Sequence, residues 1–302
     1  RLEGVDRLED LLQAVEILAI DTSEQSLSFE VVSPDNQVFS KKTVLQMAAD
    51  ANEEKRTAIA ALNLDFFDMS NGMPRGLQIT DGEIITGIEH LVSLLAVLPD
   101  GSIVLDQGTV MEAVLLNDSE EYLKLDGINK IRNESYKDHA FLLSDRFSPT
   151  TMTETEGIEV VIAPNDEETV LKAGATLTGK IVAIEETTNS EIPQGQFVLT
   201  ATGKKADWIR EHLSIGDLAS IRITFKNELI HEAVHVYAGG NHSLAKALLI
   251  EGEVPIWIRN VRTSANTDRH PRTILATRGD YFYVFICSSV SSPSGSSNGG
   301  TV

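Results

Sequence analysis

The chain has 302 residues, 42% of them hydrophobic, and 45 acidic against 25 basic side chains give it a net charge of −20. That length and apolar content suit a folded protein with a full core rather than a disordered one, and no run of about 18 apolar residues marks a membrane-spanning helix. The strong negative charge argues against binding nucleic acid or an anionic membrane through bulk electrostatics, so an anionic ligand would have to be met by a local basic pocket. A single cysteine, Cys287, excludes an intrachain disulfide and any cysteine-built zinc or iron–sulfur site. Because the chain opens on Arg1 rather than Met, a signal peptide or anchor ahead of it is expected.

In chain order, Glu16–Asp21 and Leu27–Val32 read as strands joined by a polar turn, and Ser33–Asn36 as a further turn. Apolar residues at helical spacing predict a helix from Thr43, ending near Asn52. It feeds an apolar strand starting at Ile59, which ends in the polar Asn63-Leu64-Asp65; Gly-Met-Pro-Arg-Gly then turns the chain into a second strand closed by Asp81-Gly82. Alternation would put Asn63, Asp65 and Phe67 on one face of that first strand, polar where a core strand is apolar. Taken locally, Asn and Asp there can equally be turn residues bonding their own backbone.

Leu91–Leu98 is a short apolar run followed by a hairpin-like Pro99-Asp100-Gly101 turn. From Thr109 to Phe225 short strands alternate with Gly, Pro and Asn, the clearest at Val110–Leu116, His139–Ser144, Gly157–Ala163, Leu177–Ile184, Gln196–Ala201 and Ile221–Phe225, with one helix at Ala206–Leu213. Cys287 is expected in a strand with Tyr281–Ile286, and the Ser- and Gly-rich stretch Ser288–Val302 as a poorly ordered or extended end. The expected class is α+β: mixed or antiparallel, β-rich, with few helices. The organisation expected is a first part over 1–108, a β-rich inserted subdomain over 109–226, and a continuation of the first part over 227–302.

Three motifs carry chemistry. Asn63-Leu64-Asp65-Phe66-Phe67 comes first, then Ala238-Gly239-Gly240, then His270-Pro271-Arg272-Thr273. Their order and approximate spacing resemble the phosphodiester glycosidase family, which includes the lysosomal uncovering enzyme and exopolysaccharide-associated bacterial members; the similarity spans roughly Ala14 to the C-terminus. Leu125–Lys130, Thr150-Thr151 and Ile192–Leu199 resemble the bacterial branch. The resemblance implies a glycosidase domain that removes a sugar from a sugar-1-phosphodiester in a cell-envelope or exopolysaccharide setting, exported from the cell; no cofactor is expected, and no residue is assigned as a metal ligand. It also implies a C-terminal segment completing the site beyond the place where this sequence stops.

Under that resemblance Asp65 supplies a carboxylate, Asn63 orients sugar hydroxyls or water, and Arg272 holds the phosphate through its planar fork of donors. Gly239, Gly240 and Thr273 line the substrate, the glycines by letting backbone approach closely. Asn63, Asp65, Gly240 and Arg272 are expected to converge on one concave site. The phosphate is already a good leaving group, so the protein must chiefly stabilise an oxocarbenium-like centre and neutralise charge on the departing group. An alternative is a non-catalytic carbohydrate-binding or scaffold relative of the same fold. A third is a zinc hydrolase, because His231-Glu232-Ala233-Val234-His235 matches the His-Glu-x-x-His pattern. That pattern needs a helix, whereas Val234, Val236 and Tyr237 favour a strand over Leu229–Tyr237, in which the two imidazoles would lie about 13 Å apart.

Overall fold

The computed structural model describes residues 13–53, 56–63, 67–87, 93–107, 110–132, 137–165, 169–239 and 272–289. The protein is α+β and β-rich, with three sheets and two α-helices among the described residues. By contact it divides into a larger unit, Phe29–Ser243, and a smaller one made of the two chain ends, Arg1–Ser28 with Leu244–Val302. The stretch 109–226, expected as an insertion, lies within the larger unit.

β1 (Gln13–Asp21) forms where the alternating apolar run predicts it. Leu27–Val32, expected as the next strand, is not one. Leu27 closes a turn onto the Glu24 carbonyl, and further on the Val31 carbonyl accepts from the Thr80 hydroxyl at 2.9 Å, a side-chain tether in place of a ladder. Helix α1 (Val44–Asp50) starts at a capping box in which Thr43 accepts from the Gln46 amide and the Gln46 side chain accepts from the Thr43 amide.

The strand expected at Ile59 is also missing. Ile59 is 77% exposed and Asn63 is exposed too, so the run has no sheet to bury its apolar side chains against. β2 (Gln78–Thr80) and β3 (Glu83–Thr86) make a hairpin through Asp81-Gly82, and β4 (Ser93–Val97) and β5 (Ile103–Gln107) another through the expected Pro99–Gly101 turn.

β6 (Met111–Leu116), β7 (Tyr122–Lys124), β8 (Gly127–Ile128), β9 (Ala140–Ser144), β10 (Gly157–Pro164), β11 (Thr176–Thr187), β12 (Phe197–Ala201) and β13 (Leu218–Phe225) build an eight-stranded sheet, ordered β7-β6-β13-β11-β10-β12-β9-β8. Only β8 and β9 run parallel, which makes the sheet mixed. Every residue of β9 and β12 is buried, because both faces of that end are covered; their continuous apolar sequence reflects this. On one side Leu142 and Leu199 enter the main core, and on the other Phe141, Leu143 and Val198 join Val38, Phe147 and Ile192. β13 alternates instead, with Ala219, Ile221, Ile223 and Phe225 inward.

Helix α2 (Gly203–His212) buries Ala206 and Ile209 on one face, and its N-terminus is capped from outside by Asp138, which accepts from the Lys204 amide at 2.8 Å. β14 (His235–Gly239) inserts between β2 and β4 to give the order β3-β2-β14-β4-β5. Leu77, Ile79, Leu94, Ala96 and Val236 of this region share the main core with the eight-stranded sheet, so the two sheets of the larger unit have one interior. In the smaller unit β15 (Arg272–Arg278) and β16 (Tyr281–Ser289) form a hairpin, and β1 pairs along the whole of β16, from Gln13 opposite Ser289 to Asp21 opposite Tyr281. Ser288 and Ser289 are therefore strand residues, and the rest of the expected tail lies outside the described residues.

Candidate functional site

From Phe67 to Arg75 the chain forms a turn held by several bonds. Phe67 bridges to Pro74, the Asp68 amide donates to the Met73 carbonyl, and the Gly72 amide donates to the Asp68 carbonyl at 2.7 Å. Asp68 also accepts from the amide and hydroxyl of Ser70, and these bonds hold its carboxyl below the usual aspartate range. Gly72 sits at φ +89°, and a Cβ there would come within 2.4 Å of the Ser40 carbonyl oxygen, so only glycine fits.

Two lysines clamp the turn through backbone carbonyls. Lys41 Nζ donates to Met69 and Ser70, and Lys130 Nζ, on a residue only 4% exposed, donates to Pro74 at 2.5 Å and Arg75 at 2.9 Å. Beside Lys130, Asn129 takes φ +51° and donates its side-chain amide to the Ile85 carbonyl and Ser144 Oγ while accepting from the Ser144 amide. Lys130 of the Leu125–Lys130 stretch thus meets the Met-Pro-Arg-Gly turn, while Asn129 ties that stretch to Ile85 and Ser144.

A second pairing joins the other two stretches. Thr150 bridges to Glu191, the Thr151 amide donates to Ser190, and the Ile192 amide donates to Pro149. Between them lies Glu159, 1% exposed, whose carboxylate accepts from Thr151 Oγ1 and Thr153 Oγ1 at 3.0 Å, the Ser190 amide at 3.1 Å and Thr200 Oγ1 at 3.3 Å. Arg132, also buried, donates to the same Thr200 hydroxyl and to the Thr155 carbonyl. Neither Glu159 nor Arg132 carries a sequence signal; each is one charged residue in a long chain, and its burial draws on partners such as Ser190 and Thr200 that lie far along the chain.

The expected site residues fall as follows. Asn63 is exposed in the larger unit, and Gly239 ends β14 in the same unit. Arg272 opens β15 in the smaller unit, opposite Cys287, and Thr273 beside it is exposed. Asp65 and Gly240 lie outside the described residues.

His231-Glu232-Ala233-Val234-His235 forms neither a zincin helix nor the expected continuous strand. Glu228–Glu232 is a 3-10 turn started by Asn227, whose side chain accepts from the Leu229 amide, and β14 begins only at His235. Asn227 wins locally because its side chain offers the backbone a turn before any ladder can form. The two imidazoles face different tasks: His231 Nε2 accepts from the Phe225 amide at 2.9 Å, and His235 Nδ1 accepts from the Asp81 amide at 3.4 Å. An open groove of about 420 Å³ runs past this corner, lined by Asp81, Lys172, Gly174, His231 and Glu232 among others. Gly174, at φ +73°, is required there, since a Cβ would lie 2.7 Å from the His231 side chain.

Burial pushes the His235 imidazole below its ordinary pKa, an effect that the neighbouring carboxylates of Asp81 and Glu30 only partly oppose. The unfolded chain therefore takes up this proton more readily than the folded one, so stability declines as pH falls below about 6.5 and stops declining on this account below the folded value. His235→Gln is expected to flatten the fall of melting temperature between about pH 7 and pH 5. Parallel curves for parent and variant would show that His235 does not govern this range.

No protein-family model matches the sequence, and no curated protein does. Among solved structures the fold is similar to a hypothetical protein from Synechocystis, with TM-score 0.70 and 13% identity over 90% of this chain and 47% of that one. It is also similar to a "Putative exported protein" from Burkholderia pseudomallei K96243, with TM-score 0.64 and 17% identity over 92% of this chain and 62% of that one. The chain thus spans about half to three-fifths of the length of these structures. Among the described residues no helix is long and apolar enough to cross a membrane.

Proposed function

We propose that this chain carries a phosphodiester glycosidase-type hydrolase domain that cleaves a sugar from a sugar-1-phosphodiester in a cell-envelope or exopolysaccharide setting. The observation that supports the reading beside the resemblance is that two of the lesser stretches are tied into the fold: Lys130, which ends Leu125–Lys130, donates to the carbonyls of Pro74 and Arg75 in the turn that begins at Phe67, and Thr150-Thr151 pairs with Ser190-Glu191, just ahead of Ile192–Leu199. Similarity of fold to a protein named as exported supports the envelope setting.

In this reading the Asp65 carboxylate acts on the anomeric centre as nucleophile or through water, Asn63 orients sugar hydroxyls, and Gly239 and Gly240 admit the sugar close to the backbone. Arg272 neutralises the departing phosphate, with Thr273 beside it. No proton need be given to a phosphate that leaves as a stable anion, so a strong general acid is not demanded of the chain.

The test is release of free sugar from N-acetylglucosamine-1-phosphomannose by the full chain. Asp65→Asn is expected to abolish release. Arg272→Ala should slow it roughly 30- to 150-fold, which corresponds to about 2–3 kcal/mol for a charge-assisted pair to phosphate. Unchanged rates in both variants would end the assignment of these residues, and binding without any release would turn the reading towards a glycan-binding relative.

A further inference from the structure

In a half-buried antiparallel sheet, positions pointing away from the core are ordinarily polar. The three-stranded sheet of the smaller unit breaks this rule on one face. Phe282 and Val284 of β16 are buried, while the intervening Tyr281, Tyr283 and Phe285 project from the opposite face, Tyr281 with 45% of its surface exposed. Their rings form a continuous row, with centroids 6.1 Å apart between Tyr281 and Tyr283 and 6.2 Å between Tyr283 and Phe285, and planes inclined by 30° and 26°.

The neighbours of the row decide what it can hold. Tyr283 lies between Ala19 on β1 and Ala276 on β15, side chains too small to cover it. Phe285 lies beside Ile17, which is 60% exposed. Tyr281, at the hairpin end, is flanked by Asp21 on one side and the exposed Arg278 on the other.

The geometry points to a glycan-binding strip on this face, in which a pyranose stacks its C–H face on Tyr283 and its hydroxyls are read by Asp21 and Arg278 at the rim. An aromatic row with a carboxylate acceptor and a guanidinium donor at one end suits a ligand that is apolar on its ring faces and hydroxylated at its edges. Nucleic-acid bases also stack on such rows, but a chain of net charge −20 repels their phosphates. A docked protein helix would call for branched aliphatic side chains all along a groove, whereas alanines flank Tyr283 at the centre of the row and Asp21 and Arg278 flank Tyr281 at its end. The inference rests on the glycan-directed part of the proposed function and needs none of its catalysis.

Titration of the full chain with chitohexaose, cellohexaose and maltohexaose, followed by calorimetry and by saturation transfer from protein to sugar protons, tests it. At least one hexasaccharide is expected to bind, and Tyr283→Ala should weaken it at least about fivefold. Tyr283 is partly buried, so Ala19→Glu serves as a second variant: it fills the open side of the strip from an exposed position and should weaken binding equally while leaving the melting temperature unchanged. Asp65→Asn should keep full binding even where it abolishes sugar release, which separates the strip from the reaction. Binding of none of the three sugars, binding indifferent to Ala19→Glu, or a dimer of the parent chain dissolved by Ala19→Glu would each overturn the inference, the last by assigning the face to a second copy.

Discussion

Replacing Glu159 by Ala is expected to lower the unfolding free energy by about 3–5 kcal/mol, the range for breaking a buried charge network by removing one partner. The carboxylate accepts from three threonine hydroxyls and one backbone amide, and the variant would leave all four donors in a site that water does not reach. Arg132, which shares the Thr200 hydroxyl, would lose a polarised neighbour at the same time. The loops that carry Thr151 and Ser190 are tied to β10 through this one side chain, so their amides should exchange with solvent faster in the variant. Glu159→Gln keeps one acceptor and turns the other end into a donor facing donors, so a smaller loss of about 1–3 kcal/mol is expected. Urea unfolding of the three proteins gives the order directly. An alanine variant within about 1 kcal/mol of the parent would mean that the network is solvated or rearranges without cost.

What could be read from the sequence was what local chemistry decides. The helix at Thr43, the Pro99–Gly101 hairpin and the strands β9 to β13 lie close to where apolar spacing and turn residues put them, because each is stabilised by neighbours in sequence or by a face that the pattern itself defines. The misses share a different cause. Leu27–Val32 and the run at Ile59 have strand composition but no ladder partner, and a strand is defined by the partner that its own sequence does not name. The pairing of β1 with β16 joins opposite ends of the chain, and nothing in either strand specifies the other. At His231–His235 the β-branched Val234 and Val236 favour a strand, but the Asn227 cap ahead of the motif sets a 3-10 turn first.

The candidate site divides in the same way. Its motif words were visible, but the residues that tie the described stretches into the fold were not recognisable as such. Lys41 reads as a surface lysine, Lys130 as one more basic residue in an acidic protein, and Glu159 as a charge out of place in an apolar strand. Each acquires its role only when the fold brings a carbonyl or a hydroxyl from elsewhere in the chain to meet it.

The second large effect is therefore expected at Lys130. Its ammonium is buried and donates to the carbonyls of Pro74 and Arg75, the outer limb of the turn that bridges back to Phe67. Lys130→Met keeps the length and apolar stem of the side chain but leaves two carbonyls without their donor, a loss of about 2–6 kcal/mol if each costs about 1–3 kcal/mol. Because the ammonium acts on the turn and not on the core packing of the eight-stranded sheet, protease cleavage should appear first within residues 67–76. Lys130→Arg retains the charge but replaces a compact ammonium by a planar fork that cannot place both bonds in the same space, so it should rescue stability only in part. In the proposed reaction Lys130 is a positioning residue: Lys130→Met should depress sugar release under conditions where the protein remains folded, through kcat more than KM, because the turn begins at Phe67, close in sequence to the proposed Asn63 and Asp65, and does not itself hold the sugar. A methionine variant that melts with the parent and cleaves no faster in that turn would show that the two carbonyls find other donors and that Lys130 does not set the geometry of the motif.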